Sequence, residues 1–263
     1  MALTINTNMS SLIVQKNLNA ATSMLNKSIE RMTTGYKINH AADNAAGYSI
    51  ATTWKTQLGS LDVASDNAST GADMLTTLED TYSLITSHLQ RVRDLTEQAA
   101  NGTYGSDSLK AIASEITARL EEIDRISANC EFNGLKMMDG SLTDDINLQV
   151  GLYSDAASRI ALDASLFQNG HVSALFKTFG GVGGATVAEV AKLCSGYDGK
   201  QITGGQNEML NKIDAVISEI SARTTTLGAA QNRIESAVES INVQSENITS
   251  SLSTLRDADV AEE

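Results

Sequence analysis

The chain has 263 residues, a formal net charge of −13 and a sequence pI near 4.6. This acidic balance argues against nucleic acid as a partner, because the phosphates would be repelled. Proline is absent and aromatic residues make up only 4 %, so we expect long uninterrupted helices packed through small aliphatic side chains. The sequence contains neither an apolar run that could span a membrane nor a cleaved secretion signal. Two locations therefore stay open: the cytosol, or export by a route without a cleaved signal.

The first predicted helix lies within residues 1–34. Its apolar positions keep the three- and four-residue spacing of one helix face: Leu18, Ala21, Leu25, Ile29 and Met32. Gly35 follows where a helix C-terminal glycine is expected. Residues 34–51 are small and polar, which predicts a connector.

A second helix is predicted from about residue 43 to residue 100. Its apolar seam comprises Trp54, Leu58, Leu61, Leu75, Leu78, Tyr82, Ile85, Leu89, Val92 and Leu95, with small residues between. A turn at Asn101-Gly102 precedes a third helix, for which Ser106 or Asp107 is the predicted N-cap. Because the connection is short, we expect this helix to fold back antiparallel on the second. Its apolar face comprises Leu109, Ile112, Ile116, Leu120 and Ile123.

The pattern changes after Asn133-Gly134. Alternation of apolar and polar residues at 146–150 and the surrounding turn residues predict β-hairpins within residues 131–166. Residues 169–205 are rich in glycine, which favours a flexible surface insertion, with a short helix expected at 187–193.

The last predicted helix, 213–255, carries a seven-residue repeat. Its seam combines the large apolar residues Ile220, Leu227, Ile234, Ile241, Ile248 and Leu255 with a second set, Ile217, Thr224, Gln231, Val238, Ser245 and Leu252. We expect this seam to pair with the second helix within the same chain. The polar positions Thr224, Gln231 and Ser245 are predicted to set the register of that pairing.

The sequence offers no pattern for catalysis or metal binding. Its three histidines, His40, His88 and His171, belong to no metalloprotease motif, and no hydrolase nucleophile or phosphate-binding loop is present. Cys130 and Cys194 have no zinc spacing and are interpreted as small buried hydrophobes, with a disulfide as the lesser alternative. We therefore predict no enzyme activity, no cofactor and no metal.

Several long segments, in this order, are similar to bacterial flagellin. They are residues 1–51, which include TGYKINHAADNAAGYSIA; LQRVRDLTEQAANGT at 89–103; EITARLEEIDRIS at 115–127; FNGLKMMDG at 132–140; and the segment from Leu227 to Glu263. Together they cover about four-fifths of the chain. The sequence is thus identified as a member of the flagellin family.

The resemblance implies a mainly α fold, an elongated antiparallel helical bundle or coiled coil with a small β-hairpin region. It assigns residues 1–43 to an inner coiled coil, and 44–168 together with 206–255 to a helical rod domain. Residues 169–205 correspond to a minimal variable region, and 256–263 to the start of the C-terminal inner segment. Flagellins continue past this point with a further helix. Without that helix, we expect polymerisation to be impaired.

The resemblance also implies partners. A flagellin is exported through the flagellar type III apparatus, meets a chaperone and cap and junction proteins, and polymerises with itself in the extracellular filament. No nucleic acid and no membrane insertion are expected. Flagellins of one large group are sensed by a vertebrate Toll-like receptor, and the family's recognition motif matches Gln90, Arg91, Leu95 and Glu115. Spacing alone would place Leu95 in the apolar seam and make Arg91 a solvated charge, but the motif match outweighs spacing and favours a recognition role for both.

Other interpretations remain at this stage. The main alternative is a hook–filament junction protein, which the segments at 89–103 and 132–140 disfavour. A flagellin with a peptidase in its variable region and a non-flagellar coiled-coil binding module are weaker alternatives. Cys130 and Cys194 depart from flagellins, which usually lack cysteine, and Tyr36, His40, Asn44 and Tyr48 depart from common forms of the motif at 34–51.

Overall fold

The computed structural model describes residues 9–176, 186–196, 206–259 and 261, with Gln206 and Asn207 described by their backbone only. The fold is 75 % helical, with six α-helices and two small antiparallel strand pairs in these ranges. The predicted fold class, mainly α with small β-hairpins, is confirmed.

All four predicted long helices are present, and the last one begins seven residues before its predicted start at residue 213. They are α1 (Met9–Thr34), α2 (Ala45–Ala100), α3 (Ser106–Asn129) and α6 (Gln206–Arg256). Two short helices lie between α3 and α6: α4 (Val172–Leu175) and α5 (Val187–Ser195). The strands are β1 (Glu131–Phe132), β2 (Leu135–Lys136), β3 (Ile146–Gln149) and β4 (Arg159–Leu162).

The chain divides into two compact units. The first unit contains residues 1–63 and 240–263, and the second contains residues 64–239. Helices α2 and α6 contribute to both units, so the division falls inside these helices. The predicted boundaries at residues 43 and 255 both lie within the first unit.

In the first unit, the segments that follow α1 and α6 are joined through their backbones. Gly35 ends α1 with a left-handed φ of +73° and donates its N–H to the carbonyl of Arg31. The carbonyl of Gly35 then accepts a hydrogen bond from the N–H of Ala258 at 2.8 Å. Lys37 donates to the carbonyl of Arg256 at 2.7 Å, and the Arg256 guanidinium lies over the ring of Tyr36.

Asp43 holds the connector between α1 and α2. Its carboxylate forms an ion pair with Lys27 at 2.7 Å and accepts hydrogen bonds from the backbone N–H groups of Asn39 and His40. The hydrogen bond from Lys27, followed by that from His40, lowers the pKa of Asp43 to about 2. The connector is therefore held by polar contacts.

The core of the second unit lies between α2, α3 and α6. Arg91 of α2 contacts Glu115 of α3. Gln98, nearer the end of α2, contacts Tyr104 in the connection that precedes α3. The two helices therefore run antiparallel. All five residues of the predicted α3 face are buried, together with the α2 residues from Leu75 to Leu95 that were predicted as its seam. The predicted antiparallel packing of α3 on α2 is confirmed.

Four of the six large positions of the α6 seam, Ile220, Leu227, Ile234 and Ile241, are buried as predicted, whereas Ile248 and Leu255 are only half-buried. Gln231 reaches α2, where its side-chain amide donates to the carboxylate of Glu79 at 2.9 Å. Thr224 instead donates to the carbonyl of Ile220 in its own helix. Gln231 thus makes a contact of the predicted kind, whereas the register roles of Thr224 and Ser245 stay predictions.

The start of α3 differs from the prediction. The N-cap is Gly105, with extended backbone and no side-chain cap, rather than Ser106 or Asp107. Those two residues lie inside the first helical turn, where the Asp107 carboxylate is favourable because of the helix dipole.

The two predicted hairpins are present. Strands β1 and β2 pair around a two-residue turn in which Asn133 and Gly134 both have positive φ, as hairpin turns of this length require. Strands β3 and β4 pair in register from Ile146 with Leu162 to Gln149 with Arg159. Hairpin β3–β4 lies against α2, because a Cβ atom added at Gly71 would meet Leu148 at 2.4 Å.

Residues 172–176 and 187–195 pack as part of the core, so the interpretation of 169–205 as a surface insertion is wrong for these residues. Helix α5 packs against α3 and buries Val190, Ala191 and Cys194. The Asp124 carboxylate of α3 accepts a hydrogen bond from the N–H of Val172 at the start of α4. The glycine-rich stretches at 177–185 and 197–205 lie outside the described residues. The predicted helix at 187–193 is confirmed and extends to Ser195.

Both cysteines are free and buried, in agreement with their interpretation as small hydrophobes. Burial raises the pKa of Cys194 to about 12, an effect that a hydrogen bond with Thr96 of α2 partly offsets.

Candidate functional site

Helix α1 presents an apolar surface that the first unit does not cover. None of its residues from Met9 to Thr34 is buried, and Leu18 and Leu25 are 64 % and 59 % exposed. The exposed apolar residues of this helix are Met9, Leu12, Ile13, Val14, Leu18, Met24, Leu25, Ile29 and Met32. We call these residues the α1 surface.

The α1 surface has the chemistry of a protein–protein contact. Exposed apolar residues that are contiguous, rather than scattered singly, typically mark interaction sites. The predicted face from Leu18 to Met32 repeats at helical spacing, so another helix could pack along it. The surface carries no catalytic groups of its own, and its use depends on a partner.

A second candidate surface lies on α2 and α3 in the second unit. The Arg91 guanidinium approaches the Glu115 carboxylate with Nη2 and Nε at 2.9 Å and 3.0 Å from Oε1. Arg119, one turn along α3, lies 3.8 Å from the same oxygen. The side chains of Arg91 and Glu115 are 47 % and 38 % exposed, so both remain accessible from solvent. We call Arg91, Glu115 and Arg119 the α2–α3 surface.

The other two residues of the predicted recognition motif are placed differently. Gln90 is exposed and lines a cleft of about 410 Å³ with hydroxyl side chains of α2 and α6, including Ser87 and Ser221. Leu95 is only 1 % exposed and lies in the core. The structure therefore brings together Arg91 and Glu115, whereas Leu95 lies beneath the surface as its seam position predicts.

Sequence reasoning missed a charged contact on the neighbouring side of α2. Arg93 places its Nε 2.6 Å from Oδ1 of Asp214 on α6, and its Nη1 lies 3.2 Å from Glu97. Hydrogen bonding and charge from Asp214 raise the pKa of Arg93. The contact joins residues 121 positions apart, so no local pattern could reveal it.

His88 lies one turn before Arg91 on α2. Burial, followed by the nearby positive charge of Arg119, lowers the pKa of His88. The neutral form of the imidazole is thereby favoured, and the net charge of the α2–α3 surface is set by its arginine and glutamate side chains.

Within the described residues, no group of three or more histidine, cysteine, aspartate or glutamate side chains could hold a metal ion. The described helices also include none that is both long and apolar enough to cross a membrane. The two surfaces above are thus the candidates for function.

Comparison with known proteins decides the family. The model for the bacterial flagellin N-terminal helical region matches residues 5–143, and the model for the C-terminal helical region matches residues 210–263. The chain belongs to the bacterial flagellin family. Flagellins are structural proteins of the flagellar filament, so membership supports a filament subunit.

Two curated flagellins illustrate the relation. The chain is 30 % identical to flagellin FlaB1 of Treponema pallidum over 98 % of its own length and 88 % of that protein. It is 40 % identical to phase 1 flagellin of Salmonella naestved over 78 % of its own length but only 39 % of that protein. The chain thus spans well under half of the Salmonella flagellin.

Two solved structures share the fold. A flagellin of Bacillus cereus superposes with a TM-score of 0.51 at 24 % identity, covering 71 % of this chain and 94 % of that chain. A protein described as flagellar hook-associated, from Vibrio parahaemolyticus, gives a TM-score of 0.68 at 13 % identity, covering 82 % of this chain and all of that chain. At such identities the likeness shows the fold alone, so it does not distinguish a filament subunit from a hook-associated protein.

Proposed function

We propose that this flagellin is a non-catalytic subunit that self-assembles into the filament, with the α1 surface as a contact between copies. The observation that carries the proposal is the exposure of apolar residues along the whole of α1. Burying such residues against another chain removes apolar area from water, which favours association by about 25 cal/mol for each Å².

The proposal includes the route and the domain roles that the resemblance implies. The subunit is secreted through the flagellar type III apparatus, with a chaperone and with cap and junction proteins as further partners. Residues 1–43 and 256–263 serve the inner coiled coil, and 44–168 with 206–255 serve the rod domain. The variable insertion at 169–205 contributes α5 to that domain, because α5 packs on α3.

A filament subunit is favoured over a hook–filament junction protein. Both flagellin family models match this chain, together covering 5–143 and 210–263. The hook-associated likeness from Vibrio parahaemolyticus is confined to the fold.

Electron microscopy of the full-length gene product tests the proposal. In a bacterium whose own flagellin gene is deleted, the wild-type product should form filaments at the cell surface. The Leu18→Ser, Leu25→Ser double variant should be exported but should not form filaments, because two residues of the α1 surface have lost their apolar side chains. Asn19→Ser is the matched control and should assemble normally, because the residues one turn away from it on α1 (Gln15, Lys16, Thr22 and Ser23) lie outside the α1 surface. Absence of filaments from the wild-type product would contradict the proposal.

We further infer that the α2–α3 surface is recognised by the flagellin-sensing Toll-like receptor of vertebrate hosts. The inference is supported by the motif match and by the contact between Arg91 and Glu115, which presents two matched residues side by side. Arginine at the centre of an interface is often one of the few residues that carry its binding energy. Leu95 would act only by supporting this surface from the core.

Receptor activation by purified protein tests this second inference. Arg91→Ala should raise the concentration needed for half-maximal signalling by roughly tenfold or more, as loss of a central arginine contact does. Arg125→Ala is the matched control, since Arg125 is also exposed but lies farther along α3, where it pairs with Glu122. Both variants should keep the helix content of the wild type. Equal dose–response curves for the two variants would rule out a specific role for Arg91.

A further inference from the structure

Three asparagine–glycine pairs differ in how tightly the structure holds them. They are Asn101-Gly102 between α2 and α3, Asn133-Gly134 in the β1–β2 turn and Asn169-Gly170 before α4. Asparagine is one of the thermolabile residues. When glycine follows it, no side chain hinders approach to the backbone nitrogen between them.

The chemistry is a cyclisation followed by hydrolysis. The backbone nitrogen of the glycine attacks Cγ of the asparagine, a C–N bond forms, and the side-chain nitrogen leaves as ammonia. Water then opens the five-membered succinimide at either carbonyl and leaves aspartate or isoaspartate. The reaction requires an uncommitted glycine N–H and a backbone that can bring this nitrogen against Cγ.

The pair at Asn169 is held on both sides. Its side-chain amide donates to the carbonyl of Asp139, and its side-chain oxygen accepts from the N–H of His171 at 2.8 Å. The attacking nitrogen, that of Gly170, already donates to the carbonyl of Met138 at 2.9 Å. Gly170 is buried, so cyclisation would require this part of the core to open.

The pair at Asn133 is exposed but held in a fixed turn. Asn133 has a φ of +49° and Gly134 a φ of +81°, and the flanking residues Phe132 and Leu135 are paired. Because the paired strands on both sides hold the two residues in this left-handed turn, their backbone cannot rearrange freely. Cyclisation at this pair therefore requires the hairpin turn to open.

The pair at Asn101 is held more loosely than the other two. Both residues are exposed, and a Cβ atom added at Gly102 would meet none of the described atoms within 4 Å. Within the described part of the chain, the N–H of Gly102 has no hydrogen-bond acceptor. The contacts of Asn101 are long: its side-chain oxygen lies 3.3 Å from the N–H of Thr103, and its carbonyl 3.4 Å from that of Tyr104.

We propose that Asn101 is the principal site of spontaneous deamidation in this protein, through a succinimide formed with the backbone nitrogen of Gly102. The product carries a new negative charge directly after the last residue of α2. The final turn of α2 contains no basic residue to offset this charge, and the helix dipole disfavours an anion there. The modified form should therefore fray at the end of α2.

Peptide mapping of the folded protein tests the proposal. The protein is incubated at mildly alkaline pH, and aspartate and isoaspartate are separated at each of the three sites by liquid chromatography and mass spectrometry. Deamidation at Asn101 should be several-fold faster than at Asn133, and Asn169 should be slowest. In denaturant the three rates should converge, because all three pairs then have the same local sequence chemistry.

Gly102→Ala provides a second measurement. Gly102 has no left-handed φ and has open space around it, so alanine should be accommodated without loss of helix content. This variant should slow deamidation at Asn101 several-fold and leave the rates at Asn133 and Asn169 unchanged. Equal rates at the three sites of the folded protein, or a faster reaction at Asn133 or Asn169, would overturn the proposal.

Discussion

Helices α1 and α3 are nearly equal in length, with 26 and 24 residues, and both keep apolar side chains at helical spacing. Seven residues of α3 are buried, including Ile116 and Leu120, whereas α1 buries none from Met9 to Thr34. The same sequence pattern thus leads to two outcomes. In α3 the partner helices belong to the same chain, whereas the apolar residues of α1 stay exposed, as the proposed contact between copies requires.

Truncating one leucine in α3 and one in α1 should give the largest difference in stability between the two helices. Leu120→Ala should lower the free energy of unfolding by about 2–5 kcal/mol, because a fully buried side chain leaves a cavity. Leu25→Ala should change it by no more than about 0.5 kcal/mol in the unassembled protein, since Leu25 is exposed. Urea denaturation followed by circular dichroism measures both values. Similar losses for the two variants would mean that α1 is covered within the chain.

Two glycines inside α2 allow an exposed position and a packed position to be compared, with smaller expected changes in stability. Gly59 lies in the first unit, where an added Cβ would meet none of the described atoms within 4 Å, and Gly71 lies in the second unit against Leu148. Gly59→Ala should stabilise the protein by about 0.5–1 kcal/mol, because alanine is the better helix former. At Gly71 the same gain should be cancelled or exceeded, since overpacking costs about 1–3 kcal/mol. Thermal melts of the two variants measure the difference, and equal stabilisation would contradict close packing of β3 on α2.

The smallest expected effect comes from acid. The pKa of Asp43 lies below its ordinary value of 3.8, at about 2, so its ionised form stabilises the folded connector. That contribution is fully present above pH 3.8 and is lost as the pH falls toward 2. Chemical shifts of Asn39 and His40 should change in this window in the wild type, while those of the α3 core stay constant. Asp43→Asn should remove the transition, and its persistence in this variant would assign it to another group.

The helices were predictable because their signals are local. The heptad spacing of α6 and the apolar face of α3 are visible within a few turns, and both helices are present, although α6 begins seven residues before its predicted start. The start of α3 was missed because Gly105 caps it through backbone geometry, without a side chain that a sequence pattern could reveal. Glycine on both sides of α5 suggested an exposed insertion, although the apolar residues Val190, Ala191 and Cys194 already mark a face that can be buried.

The candidate surfaces, too, could be predicted only where the sequence signal is local. The seam position of Leu95 indicated a buried leucine, whereas the motif match assigned it to recognition together with Arg91. In the structure Arg91 is accessible and Leu95 is buried. The contact of Arg93 with Asp214 depends on how α6 lies along α2, and no local pattern specifies it. Periodicity also could not predict that the apolar face of α1 is exposed. An amphipathic pattern indicates that one helix face is apolar, but it does not indicate whether that face packs within the chain or against another molecule.

The central claim is that other copies of the chain bury the apolar face of α1, whereas the apolar face of α3 is buried within its own chain. Hydrogen exchange of the full-length gene product, measured once as dispersed subunits and once as assembled filaments, tests this claim most directly. We predict fast exchange of the α1 amides in the dispersed subunit and strong protection in the filament, with α3 protected in both states. Equal exchange of α1 in the two states would contradict the account.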